Sequence, residues 1–257
     1  MTADVFLNLF ETAVLLFVFL GTIRPLVRGG RSLRMVFFAF AVACALLSNF
    51  YWLAYDILRP GTRMPFAANE IGEWALFLLL GASLRIESRL SHAKWEMLCA
   101  ALFAAANAAL WIAWSGEWVE DILTGAAFGY FLCCLVAMIK QEGAFSVREW
   151  RLLGAACLVL IAAQTATFSA PDTMRRPLDL FCYILLFAVA AFLLLRAIWE
   201  LRSGGQAPLA VCRTFAAFAW GVAAMYMSAG GFYIAALLLT TLCWPMLLLA
   251  LRKEAAA

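Results

Sequence analysis

The amino-acid sequence predicts an all-α, polytopic transmembrane bundle, and three observations predict it. Hydrophobic residues make up 66% of the 257 and charged residues 14%, against about 45–50% and about 25% in soluble domains. Most hydrophobic stretches are apolar all round, without the polar stripe of a helix that faces water. Runs such as 181–195 and 234–242 hold no charge and lack the alternation of the roughly ten-residue strands of an outer-membrane barrel.

About twenty apolar residues cross a hydrocarbon core, and turn signals divide the chain into nine such pieces. The first, 4–23, has no basic residue ahead of it, holds Glu11 and ends in Arg24, Arg28, Arg31 and Arg34. It therefore reads as a retained helix and not a cleaved secretory leader. The second, 35–56, stops at Asp56 before the breakers Pro60, Gly61 and Pro65, and the third, 66–84, starts after them and stops at Arg85. The fourth, 97–114, is alanine-rich and ends among Trp111, Trp114 and Trp118, an interfacial aromatic belt to which Trp52 and Trp74 also belong.

The fifth, 122–140, runs from Asp121 to Lys140, and the sixth, 152–169, lies between Arg151 and Pro171. The seventh, 178–197, follows Arg175 and Arg176; the eighth, 211–228, follows Gly204, Gly205 and Pro208. The ninth, 232–251, follows a tight turn at Gly230 and Gly231 and carries Pro245, which removes one backbone donor. Were that turn only a break in one element, the count would be eight. The connections leave no room for a soluble module, so 1–257 reads as a single transmembrane domain.

Nine spans with the N-terminus outside put Arg59, Arg63, Arg175 and Arg176 on the outer side, and the other 15 of the 19 basic residues inside. The positive-inside rule therefore gives N-out and C-in. Ten of the 16 acidic residues fall on the outer half, so an outward-facing cavity there attracts cations. The formal net charge of +3 gives no reason to expect nucleic acid as a partner.

Several classes drop out. The single histidine, His92, lies in an inner loop, which leaves no intramembrane base or ligand for an H-E-x-x-H metalloprotease, a serine–histidine protease or a haem site. Tyr55–Asp56 has no later G-x-G-D partner for an aspartyl protease, and Lys94, Lys140 and Lys253 sit at inner boundaries, where no retinal would attach. The eight cysteines are scattered without a C-x-x-C pair and read as small packing residues. Neither metal nor cofactor is expected. Asn107, Gln164, Thr165, Thr167, Thr240 and Thr241 read as hydrogen bonders between helices.

The stretch 48–74 concentrates the polar residues. Asn49, Trp52, Asp56 and Arg59 share one helical face by spacing, and Glu70 and Glu73 lie one turn apart on the third helix, after Asn69. If that helix enters the bilayer near Phe66, Glu73 lies roughly 10 Å below the boundary, where an unpartnered acid costs on the order of 2–3 kcal/mol. Together these residues predict one outward-facing pocket walled by Asp56, Glu70, Glu73 and Glu11, with Asn49 and Asn69 beside them. Arg59, Arg63, Arg175 and Arg176 would be its counter-charges.

Such a pocket suits a transporter of a small cation or small molecule, or the sensing subunit of a partner membrane protein, in a cytoplasmic (inner) membrane. A zwitterionic ligand would use the arginines as well as the carboxylates. A second reading is an acid–base hydrolase working on a lipid-like substrate through Glu70, Glu73 and Asp56, although the balance is against an enzyme. A third is a scaffold or assembly factor in which the acids favour the positive end of the third helix and pair with arginines to lock a hairpin.

Overall fold

The computed structural model describes residues 3–27, 32–58, 68–86, 98, 101–102, 105 and 118–256. Eight helices run through them: α1 (Ala3–Val27), α2 (Leu33–Leu58), α3 (Ala68–Arg85), α4 (Trp118–Glu142), α5 (Val147–Ser169), α6 (Asp172–Arg202), α7 (Ala207–Met227) and α8 (Gly231–Ala256). No strand occurs among the described residues. Seven of the eight are long and apolar enough to cross a membrane; α3 is the exception, because Glu70, Glu73 and Arg85 fall within its 18 residues. The expected fourth span, 97–114, falls almost wholly outside the described residues, and His92, Asn107, Arg59 and Arg63 lie outside them too. The last two hydrophobic segments are separate helices, α7 and α8, divided at Gly230, whose φ of 60° is left-handed.

The described residues fall into two compact units, Met1–Met138 and Ile139–Ala257. In the first, α2 packs against both α1 and α3. Phe38, Val42, Ala45 and Asn49 recur at helical spacing and are buried, while Phe40 and Leu47 on the opposite side are 61% and 68% exposed. An outward face as apolar as the inward one suits a helix solvated by hydrocarbon. α3 meets α2 where a side chain is missing, since a Cβ on Gly72 would stand 3.2 Å from the Cys44 carbonyl oxygen and from Ser48 Cβ. It meets α4 through Phe77, whose ring packs edge-on against Phe128 at 5.0 Å, and through Trp74 Nε1, which donates to Thr124 Oγ1 at 2.8 Å.

In the second unit, α6 packs with α5 and α7, and α8 with α6 and α7. Its core gathers around Leu186, Leu193, Phe215, Cys243 and Leu247, with Phe218 edge-on to Trp244 at 4.9 Å. Apolar α5 is the most exposed of the set, with Leu158 71% and Ile161 62% accessible. The turn leading into it is tightly specified. Gly143, at φ 60°, ends α4 with its N–H on the Lys140 carbonyl and the Ala144 N–H on the Ile139 carbonyl. Ser146 then caps α5, accepting from the Glu149 N–H while the Glu149 carboxylate accepts from the Ser146 N–H.

The hydroxyls expected to bridge helices mostly bond within their own. Thr165 donates to the Ile161 carbonyl, Thr167 to that of Gln164 and Thr241 to that of Leu237. In hydrocarbon a threonine satisfies its donor most cheaply on the preceding turn. Thr240 alone among these also reaches a neighbouring helix, at Met225 Sδ, 3.0 Å away.

Candidate functional site

Three helices of the first unit converge on one polar cluster. α1 contributes Asn8 and Glu11, one turn apart; α2 contributes Ser48, Asn49 and Asp56; α3 contributes Asn69, Glu70 and Glu73. Asn8 Nδ2 donates to Asp56 Oδ2 at 2.8 Å and ties α1 to α2. Ser48 Oγ donates to the Asn69 carbonyl at 3.3 Å and ties α2 to α3. Between these ties the Glu11 carboxylate lies beside the Asn49 side chain and within electrostatic reach of Glu73.

Burial makes this neighbourhood unusual. Asn49 and Asn69 are 7% and 2% exposed, yet Asn49 Nδ2 and Asn69 Oδ1 close no hydrogen bond of normal geometry among the described residues. Asn49 nonetheless serves the Glu11 carboxylate as its side-chain hydrogen-bonding neighbour. A buried polar atom left open costs roughly 1–3 kcal/mol; the Asn69 Oδ1 oxygen, like the carboxylate oxygens, is of the kind that ligates a cation, whereas the Asn49 N–H serves only a carboxylate. Glu70 and Glu73 are part-buried and both are engaged.

The remaining expected residues lie elsewhere. Trp52 does not follow Asn49 inward but is 40% exposed. Arg175 and Arg176 belong to the second unit, on the exposed first turns of α6, where Arg175 Nη1 pairs with Asp172 Oδ1 at 3.5 Å. Arg59 and Arg63 lie outside the described residues.

A second polar centre, built wholly within the second unit, went unread in the sequence. Arg213, only 5% exposed at the start of α7, donates to Glu200 Oε1 at the end of α6 and to the Ala144 carbonyl at 3.0 Å. Its guanidinium also stands 3.7 Å from Glu149 Oε1, which Arg196 approaches to 3.6 Å from the other side. These groups flank an open cleft of about 550 Å³ between the turn before α5 and the facing walls of α6 and α7. A signal for it exists in the sequence. Arg213 falls inside an apolar run, and a basic residue drawn into such a run calls for an acidic partner, here Glu200, on the preceding helix.

Comparison of the chain with protein-family models, with curated proteins and with solved structures gave no match. The class rests on the helices themselves: their length and composition make this a multi-pass integral membrane protein in contact with a lipid bilayer.

Proposed function

We propose that the chain is a small-cation transporter, in which Glu11 and Glu73 form the coordinating pair and Asn49, Asn69, Asp56 and Glu70 complete the wall. Nine spans run N-out and C-in through a cytoplasmic membrane as one transmembrane domain, an orientation supported by the 15 basic residues on the inner side. The carrying observation is the approach of two carboxylates from different helices, α1 and α3, beside the buried amide of Asn49. Two acids brought together away from bulk water are stabilised by a cation between them or by a proton held in common. A transporter exchanges one for the other.

Asn8 and Asp56 act as the strut that fixes α1 against α2, so that Glu11 faces α3 at a set depth. A sensing subunit would use the same pair to register the cation without passing it. Carbodiimide labelling tests the binding step common to both. A hydrophobic carbodiimide modifies protonated carboxyls held in the membrane, and peptide mass spectrometry locates the adduct. The expected result is modification at Glu11 or Glu73, suppressed by sodium or potassium. Labelling that is indifferent to either cation would contradict the proposal and favour a scaffold.

A further inference from the structure

The cleft of the second unit is independent of the carboxylate cluster, and its chemistry is opposite. Three guanidinium groups, Arg148, Arg196 and Arg213, line it against one carboxylate, Glu149. That carboxylate is already committed. Its Oε2 accepts from the Ser146 N–H at 2.8 Å and the Ser146 hydroxyl at 2.9 Å, and its Oε1 lies between Arg196 and Arg213. Glu149 thus spaces the two arginines apart without cancelling the third positive charge, Arg148, which pairs with nothing among the described residues.

Two further observations point to a ligand. Arg213 and Arg196 each keep an enclosed Nε–H with no hydrogen-bond partner among the described residues, and the Arg213 side chain, which lines the cleft, is 6% exposed. Arg213 gives its terminal nitrogens to Glu200 and the Ala144 carbonyl, whereas Arg196, 39% exposed, meets one carboxylate, Glu149, and leaves the rest of its guanidinium to a second anion. The wall is also amphipathic. Leu152 and Phe192 line the same cleft and are 57% and 45% exposed, on helices whose outer faces are apolar. A soluble anion has no use for that flank, whereas a lipid places its phosphate on the arginines and its acyl chain along the leucine and phenylalanine.

We propose that this cleft binds the phosphodiester headgroup of an anionic phospholipid, with Arg148 and Arg196 on the phosphate, Arg213 holding the wall behind them, and Leu152 and Phe192 on the first methylenes. The shared chemistry is a phosphate anion, and the amphipathic wall assigns it to the bilayer. Arg213 also clamps three segments together, so the discriminating variants are Arg148→Gln and Arg196→Gln. Arg151→Gln removes the same charge from α5 outside the cleft.

The test is native mass spectrometry of the full chain in detergent, titrated with phosphatidylglycerol or with phosphatidylcholine, with and without glycerol phosphate. The wild type is expected to retain phosphatidylglycerol in preference to phosphatidylcholine. Each cleft variant should weaken that retention about fivefold, Arg151→Gln should leave it unchanged, and glycerol phosphate should not compete. Equal losses for Arg151→Gln and the cleft variants would reduce the effect to general surface charge and overturn the proposal. Displacement by glycerol phosphate would assign the cleft to a soluble anion and overturn the lipid. Retention of both lipids alike would overturn the site.

Discussion

Asn8 of α1 donates its side-chain amide to the Asp56 carboxylate of α2 across 2.8 Å, a bond between residues 48 apart in the sequence. Asn8→Leu leaves that carboxylate without this donor in a part-buried position. The expected loss is about 1–3 kcal/mol, read as a lower midpoint of thermal unfolding in detergent. Asn8→Asp should lower it further, because two carboxylates would then face each other. An unchanged midpoint in both variants would remove the strut.

Gly72 sets how closely α3 approaches α2. A Cβ there would stand 3.2 Å from the Cys44 carbonyl oxygen, a backbone atom with little freedom to retreat. Gly72→Leu should therefore push α3 outward, cost about 1–3 kcal/mol, and carry Glu73 away from Glu11. The checking measurement pairs thermal stability with cation protection of the carbodiimide reaction. Both should fall, and a variant as stable and as well protected as wild type would contradict the packing argument.

Arg213 and Glu200 form a buried ion pair, at 5% and 7% exposure. Removing one partner strands the other, so Arg213→Met should cost about 3–5 kcal/mol. The double variant Arg213→Met with Glu200→Met removes both charges and should recover much of that loss. Chemical denaturation of the three chains checks this, and a double variant less stable than Arg213→Met would show that the charges act separately.

Ser146 and Glu149 form a reciprocal capping box at the start of α5. Ser146→Ala should cost about 1 kcal/mol and loosen Glu149 from the position in which it spaces Arg196 and Arg213. Amide hydrogen exchange over residues 146–152 should accelerate selectively, with the rest of α5 unaffected.

The helices are legible in the sequence because hydrocarbon solvent selects long apolar runs, and breakers such as Gly143, Pro171 and Gly230 interrupt them. The grouping of Glu11 with Asn49 and Glu73 is legible for a related reason: each is polar within a run that otherwise excludes polarity. Partner choice is less so. Spacing puts Trp52 on the face of Asn49, yet its bulk and amphipathic ring leave it exposed. Thr165 and Thr241, expected to cross between helices, bond back to their own, an option that periodicity does not reveal. The Arg213 centre is harder to read because its neighbours come from two separate stretches, Ala144 with Glu149 and Arg196 with Glu200, each ordinary as a helix end.

Ion flux into proteoliposomes tests the central claim most directly. Vesicles carrying the purified chain and a trapped pH-sensitive dye are challenged with an inward gradient of sodium or potassium, and wild type is compared with Glu11→Gln and Glu73→Gln of equal folded content. The account predicts cation-dependent proton movement in wild type and at least a tenfold loss in each variant, the scale of removing one charged partner from a buried site. Flux that persists in both glutamine variants, or a wild type that moves neither cation nor proton, would contradict it.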